Sequence, residues 1–195
     1  IREACSLLYG LPEMTKNWQV MVTTHSPCFV DFSRDHTTIV RVEMSQQGQV
    51  SGTTIFRPET AKFTGDDKQE LKMLNICDPY VAEFFFGGKT IVVEGDTEYT
   101  AFKTLASLVP DKFRDIHIVR ARGKATIVSL AKIINQFGTL YAILHDSDRP
   151  TYTGKDGAVK QNPAWAHNTS IKETAMLTKA GVRVVASVPN FEEAY

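Results

Sequence analysis

Two short apolar stretches of this sequence end abruptly in carboxylates. The first, Lys89-Thr-Ile-Val-Val-Glu-Gly-Asp-Thr-Glu98, is β-branched from Thr90 to Val93, which is typical of a strand buried on both faces. The second, Leu140-Tyr-Ala-Ile-Leu-His-Asp-Ser-Asp148, repeats this design. Because ligands of an open α/β sheet bind outside the carboxyl ends of its strands, we expect four acids to meet in one pocket. These acids are Glu94, Glu98, Asp146 and Asp148.

An acidic pocket of this kind needs a compensating positive charge. Four carboxylates repel one another at neutral pH, which raises their pKa values or splays the site. Hard divalent cations with all-oxygen ligation, Mg²⁺ or Mn²⁺, resolve that repulsion. The alternative is that these acids only cap helices and line solvated turns. Their matching positions after two strands favour the metal site.

The elements around these acids alternate between helix and strand. A helix is predicted from Thr97 to Leu108, and two more strands are predicted at 115–120 and 182–188. Strands separated by helices at this spacing predict a parallel sheet with right-handed crossovers. The last strand leads into Glu192 and Glu193, so a third strand end carries acids. Residues 149–161 contain three glycine or proline residues and predict an exposed loop beside the pocket.

The charge distribution indicates a polyanionic partner, although the net charge does not. Lys plus Arg and Asp plus Glu are 22 each. Between Lys103 and Lys132, however, seven residues are basic and two are acidic, which suits a polyanion held near metal. Arg120, Arg122 and Lys124 are the candidate phosphate contacts, because Gly123-Lys124 opens a predicted helix with unpaired N–H groups. A solvated basic face is the alternative.

Composition places the chain among ordinary globular proteins. It is 43% hydrophobic and 23% charged. The three cysteines are odd in number and have no metal-binding spacing, so we expect a reduced, cytoplasmic setting. No signal peptide and no apolar run of membrane-spanning length occur, and no membrane partner is expected.

Two motifs resemble known families. A strand ending in Glu94-Gly-x-x-Glu98, followed by a strand ending in Asp146-x-Asp148, resembles the Toprim domain of topoisomerases, primases and OLD-family (overcoming lysogenization defect) nucleases. Upstream, Thr23-Thr-His-Ser-Pro27 resembles the switch-histidine segment of ABC-type ATPases, in which the imidazole contacts the γ-phosphate of ATP. His25 would hold that role here; a cap of the turn before Pro27 is the alternative. The order of the two motifs resembles OLD-family nucleases.

The resemblance implies a division of the chain. Residues 1–57 would be the C-terminal part of an ABC-type ATPase domain, 58–77 a linker with a helix, and 78–195 a Toprim-type α/β nuclease domain. The sequence contains no G-x-x-x-x-G-K-S/T phosphate loop. ATP would therefore bind only to parts upstream of this chain, and a homodimer formed through that ATPase region is expected.

The resemblance also implies an activity. It is hydrolysis of DNA phosphodiester bonds by two divalent metal ions, Mg²⁺ or Mn²⁺, held by the four acids, with Glu192 as a further ligand and Glu193 as the alternate choice. Family members also use a lysine beyond this last motif, which we expect beyond Tyr195. Two alternatives stay open: a non-catalytic Toprim module for assembly or nucleic-acid binding, and an RNA-processing or primase-like enzyme.

Overall fold

The computed structural model describes residues 2–14, 18–34, 37–78 and 80–195. The helices within them are α1 (Arg2–Met14), α2 (Pro58–Ala61), α3 (Gly65–Cys77), α4 (Asp96–Leu108), α5 (Pro110–Phe113), α6 (Lys124–Phe137), α7 (Pro163–Ala175) and α8 (Phe191–Ala194). The strands are β1 (Ile39–Met44), β2 (Val50–Phe56), β3 (Lys89–Val93), β4 (Ile116–Arg120), β5 (Tyr141–Asp146), β6 (Thr151–Thr153), β7 (Val159–Gln161) and β8 (Val182–Ser187). Short 3₁₀ turns lie at Pro27–Phe29 and Val81–Phe86.

A four-stranded parallel sheet carries the predicted acids. Its strand order is β4-β3-β5-β8, and every neighbouring pair is parallel. Strand β3 is hydrogen-bonded on both sides, and Val92 and Val93 are buried, as a strand covered on both faces requires. Thr90 lies opposite Tyr141, which brings the carboxyl ends of β3 and β5 side by side. The predicted α/β fold with a parallel sheet is confirmed.

Gly88 allows the start of β3 to approach the start of β4 closely. Gly88 has φ 84°, a left-handed conformation that favours glycine. A Cβ atom there would lie 2.5 Å from the carbonyl oxygen of Asp115. The N–H of Lys89 donates to the same carbonyl at 2.7 Å. Only glycine permits this approach, which aligns the first residues of the two strands.

Helix α6 lies at the centre of the packing. It contacts α3, α7 and β2, and the ring of Phe137 at its end stacks on Phe56 and meets Phe85 edge-on. The hairpin β1–β2 therefore shares one hydrophobic core with the helix that covers the sheet. This core crosses the predicted boundaries at 57 and 77, and the division into domains stays a prediction.

A buried polar network joins α3 to α6. The carboxylate of Asp67, 7% exposed, accepts hydrogen bonds from Ser129 Oγ and Lys132 Nζ, each at 2.6 Å. Asp67 also completes a capping box with Thr64, whose side chain accepts from the Asp67 N–H. Burial acts to raise the pKa of Asp67, but the bonds from Lys132, Ser129 and Thr64 outweigh it and lower the pKa. Asp67 thus holds α6 in place.

Two stretches differ from the sequence-based predictions. The apolar and β-branched composition of residues 18–24, Trp18-Gln-Val-Met-Val-Thr-Thr24, predicts a buried strand. These residues form no strand, and Met21 is 93% exposed. A strand needs a neighbour to bond its backbone groups, and the described residues provide none for this segment. Residues 149–161, expected as a loop, contain the antiparallel hairpin β6–β7.

Candidate active site

The ends of β3 and β5 are joined by one of the acids. Glu94 Oε2 accepts a hydrogen bond from the backbone N–H of Asp146 at 3.0 Å, and the Glu94 N–H donates to the carbonyl of Leu144 at 3.1 Å. This pair of contacts follows from the parallel register, because Val93 is paired with Leu144 and Glu94 therefore lies beside the last residues of β5. Glu94 and Asp146 therefore lie together, as the sequence predicted.

Glu98 lies in the first turn of α4 and is 4% exposed. Its Oε2 accepts a hydrogen bond from the backbone N–H of Gly95, the N-cap residue, at 3.1 Å. This hydrogen bond caps the N-terminus of the helix. This is the capping role that was the alternative to metal binding. The Glu98 charge nevertheless acts on the site, because it is among the causes that raise the pKa of Asp146.

The Asp-Ser-Asp loop after β5 is held by the neighbouring elements. The N–H groups of Ser147 and Asp148 donate to the carbonyls of Ser187 and Pro189, both at 2.8 Å. Asn168 of α7 donates from Nδ2 to the Ser147 carbonyl at 2.7 Å. Asp148 has φ 57°, a left-handed conformation that Asp tolerates better than most residues. These contacts determine where the Asp148 carboxylate lies.

A buried lysine stands among the acids. Lys124, the first residue of α6, is 5% exposed, and its ammonium forms an ion pair and hydrogen bond with Asp148 Oδ2. A buried ammonium is stable only when it is paired. In this structure Lys124 therefore neutralises Asp148, whereas the sequence placed its charge on a DNA phosphate.

Glu192 and Glu193, the two candidates for the further metal ligand, differ in their contacts. The side chain of Asn190 accepts from the Glu193 N–H at 2.8 Å and donates to Glu193 Oε1 at 3.1 Å, so Glu193 is engaged in capping α8. Glu192 is exposed, and its charge contributes to the raised pKa of Asp146. Glu192 is the better placed of the two acids.

The electrostatics of the site indicate crowded negative charge. Burial is the main cause that raises the pKa of Glu94 to about 7; the Asp146 N–H and Lys124 act against it, and the charges of Asp146 and Asp148 add to it. The pKa of Asp146 is also raised, by burial first and then by Glu98, Glu192 and Asp148, while a hydrogen bond from the Phe191 backbone acts against them. Each of these two acids therefore resists ionisation, first because it is buried and then because other acids lie nearby.

The candidate ligands for a divalent cation in this site are all carboxylate oxygens. Among the described residues, no three His, Cys, Asp or Glu side chains are grouped closely enough to hold a metal ion. The chemistry of the donors nevertheless suits Mg²⁺ or Mn²⁺, since all are carboxylate oxygens. Asp146 Oδ1 is also buried with no hydrogen-bond partner in the described part of the chain. An unsatisfied buried carboxylate oxygen among acids with raised pKa values fits a cation.

The three basic candidates differ in their surroundings. Arg120 Nη1 donates to Asp96 Oδ1 at 2.6 Å, and its guanidinium lies 5.0 Å from the centre of the Tyr99 ring. Arg122 is exposed and lines a cleft of about 390 Å³ at the start of α6, together with Glu94, Lys124 and His167. Arg122 is therefore the best placed of the three to contact a phosphate.

His25 is exposed, and its ring centre lies 6.2 Å from that of Phe86. It stands just before the 3₁₀ turn at Pro27–Phe29. Its role toward the γ-phosphate of ATP stays a prediction.

Two residues that sequence reasoning missed support the acids. His145 is 2% exposed, and burial is the main cause that lowers its pKa. Its Nδ1 lies 2.8 Å from the Asp146 carbonyl oxygen; because a carbonyl only accepts, Nδ1 carries the proton. Asn168 holds the loop through Ser147, as described above. The sequence feature that could have identified these two residues is a polar side chain near the acidic motif at a position where burial is expected.

The parallel sheet with acids after β3, β5 and β8 defines a Toprim-type domain. Residues 85–148 match the family model described as "Overcoming lysogenization defect protein-like, TOPRIM domain". This part of the chain is an OLD-like Toprim region, as its resemblance predicted, and such a region is a metal-binding, nucleic-acid-related module of nuclease or primase type. The comparison with curated proteins gives no match. In the described residues, no helix is long and apolar enough to cross a membrane.

We expect the metal-free protein to lose stability as the pH rises from about 4.5 to about 7. Glu94 has an ordinary pKa of 4.5 when unfolded and about 7 when folded, so the folded state binds more protons in this range and its advantage falls as they leave. The loss should be about 1 kcal/mol, because solvent reaches part of this carboxylate. Urea unfolding in EDTA at both ends of the range measures it. Identical pH profiles for wild type and Glu94→Gln would contradict the assignment.

Proposed function

We propose that this chain is the Toprim part of an OLD-like nuclease and that it hydrolyses DNA phosphodiester bonds with divalent metal ions. The observation that carries this proposal is the buried Oδ1 of Asp146, which has no hydrogen-bond partner among the described residues, beside Glu94, whose pKa is raised like that of Asp146. Glu94, Glu98, Asp146, Asp148 and Glu192 would hold two ions, Mg²⁺ or Mn²⁺. When bound, such ions lower the pKa of a coordinated water and stabilise the leaving oxygen.

Residues of this chain reduce the repulsion among the acids before cations bind. Lys124 pairs with Asp148, and the raised pKa of Glu94 favours its uncharged form below about pH 7, while its Oε2 accepts from the Asp146 N–H. Both features limit the repulsion among the acids until cations enter. The Asp146 and Asp148 main chain is meanwhile held by hydrogen bonds, so binding of the ions would require the acidic side chains to move together but not this main chain.

The substrate phosphate has a natural place beside these acids. The cleft at the start of α6 is lined by Arg122 and His167 as well as by Glu94, and the first N–H groups of α6, a helix of 14 residues, point toward its N-terminal end. Cationic side chains and helix N-termini are common phosphate contacts. DNA running through this cleft would bring its backbone next to Glu94.

Nucleotide binding belongs to another part of the proposed nuclease. Gly88-Lys89-Thr90 has the last three residues of a phosphate loop, but Glu83 stands where the first glycine would be. The segment also begins strand β3, whereas a phosphate loop leads into a helix. We therefore propose that ATP binds at a site formed by other parts of the proposed nuclease, to which His25 of this chain would contribute.

Incubation with supercoiled plasmid and with RNA tests the proposed function. We expect DNA cleavage with Mg²⁺ or Mn²⁺ and none with EDTA. Cleavage of RNA alone would favour the RNA-processing alternative. Binding without any cleavage, together with no stabilisation by Mn²⁺, would favour a non-catalytic module.

Arg122→Ala should weaken DNA binding about equally for all sequences, because a phosphate contact carries no base information. The slope of log K against log salt should become shallower by about 0.9, the value for one lost contact with duplex DNA. Fluorescence anisotropy with Ca²⁺ in place of the catalytic metal measures this. Arg120→Ala is the matched control, since Arg120 is paired with Asp96, and its slope should change less. Equal slopes for wild type and Arg122→Ala would assign Arg122 to a solvated face.

A further inference from the structure

The hairpin β6–β7 projects from the domain directly after the acidic loop. We call residues 149–165 the arm. Every residue from 149 to 161 except Gly154 is exposed, and the strands are three residues each. Because an isolated two-stranded hairpin is at best marginally stable in water, an arm with this exposure is suited to packing against a partner.

The arm is attached rigidly to the acidic site at its base. Asn162 donates from Nδ2 to the Arg149 carbonyl at 3.0 Å and from its backbone N–H to the Pro150 carbonyl at 2.8 Å. Arg149 follows Asp148 directly, and Asn168, six residues beyond Asn162, bonds the Ser147 carbonyl. The base of the arm therefore lies directly beside the loop that carries Asp146 and Asp148.

The charge of the arm selects an anionic partner. Its ionisable residues are Arg149, Lys155, Lys160 and a single acid, Asp156. Lys160 Nζ lies 2.8 Å from Asp156 Oδ2, so that acid is compensated and the remaining charge is positive. A basic projection beside an acidic metal site suits a phosphate backbone that passes from one to the other.

The arm also carries exposed aromatic rings. Tyr152 is 49% exposed and lies directly opposite Lys160 on the same face of the hairpin. Trp165, in the first turn of α7, is 41% exposed. Basic side chains combined with exposed aromatic rings are the features that bind unpaired nucleic-acid strands, because every base can stack on a ring.

From these observations we propose that the arm binds a single-stranded segment of nucleic acid by stacking bases on Tyr152 and Trp165. The inference rests on the proposed function and adds to it the form of the substrate next to the site. A strand held on the arm is guided over Asp148, and duplex DNA would need to be unpaired locally to occupy the same surface.

The test uses Trp165 as its own reporter. The chain has two tryptophans, so Trp18→Phe leaves Trp165 as the only one. In EDTA, a single-stranded oligonucleotide should quench its fluorescence, and the blunt duplex of the same sequence should quench it less. In Trp165→Phe, where Trp18 remains, no quenching is expected. Tyr152→Ala should weaken single-strand binding about tenfold.

Tyr80→Ala is the matched control, because Tyr80 is 60% exposed and lies outside the arm; its affinity should equal that of wild type. Unchanged Trp165 fluorescence and unchanged affinity in Tyr152→Ala, in a protein that still binds and cuts DNA, would overturn the arm proposal and leave the proposed function standing. A wild type that neither binds nor cuts any nucleic acid would remove the proposed function itself.

Discussion

Asp146→Asn and Glu94→Gln should each reduce metal-dependent DNA cleavage by roughly a hundredfold or more. Both changes keep the shape of the side chain and remove one negative charge from the proposed ligand set, so the affinity for Mn²⁺ falls. The measurements are plasmid cleavage and calorimetric titration with Mn²⁺. Glu193→Gln is the matched control, because Glu193 caps α8 through Asn190, and it should cut like wild type, whereas Glu192→Gln should not.

In the metal-free protein, the same two changes should increase the free energy of unfolding. The pKa of Glu94 is raised to about 7, so above that pH the ionised carboxylate destabilises the folded state, and Gln should recover about 1 kcal/mol. Gln can still accept from the Asp146 N–H. Mn²⁺ should raise the melting temperature of wild type more than that of either variant. Variants that cut as well as wild type, with no stabilisation of wild type by Mn²⁺, would identify these acids as helix caps.

Asp67→Ala should lower the free energy of unfolding by about 3 kcal/mol. It removes a 7% exposed carboxylate that binds Ser129, Lys132 and Thr64, and it leaves a cation and a hydroxyl without their acceptor. Urea unfolding measures the loss. Asp66→Ala is the control: Asp66 is exposed in the same turn of α3, and the change should cost at most about 1 kcal/mol.

A double-mutant cycle separates the ion pair from the rest of this network. Asp67→Ala and Lys132→Met should be non-additive by about 1–3 kcal/mol, because the two groups are in contact. Additive effects, or an Asp67→Ala protein as stable as Asp66→Ala, would show that α3 is held to α6 by apolar packing alone. The result bears on the predicted linker at 58–77, because it measures how strongly that segment is joined to the Toprim sheet.

Local sequence was sufficient to locate the sheet and its acids. Thr90 to Val93 is β-branched throughout, and a strand covered on both faces needs such residues, so β3 and the position of Glu94 could be predicted. Strand β5 could be predicted from the short apolar run Tyr141 to Leu144 that ends in Asp146. The proximity of Glu94 and Asp146 follows from one general property of parallel sheets: their carboxyl ends lie along one edge.

Other features depended on which elements become neighbours in space. Lys124 pairs with Asp148 only because the strand order β4-β3-β5 brings the start of α6 to the end of β5, and a charge pattern along the chain contains no such order. The sequence alone indicates that Asp66 or Asp67 can cap a helix, but the partners of Asp67, Ser129 and Lys132, lie on α6, across a tertiary contact. The segment 18–24 has the composition of a strand, yet a strand forms only where another strand bonds it. The sequence by itself therefore determined the strands and the acids at their ends, whereas the tertiary structure decided which charges meet, because ion pairs and hydrogen bonds between distant residues depend on strand order and helix packing.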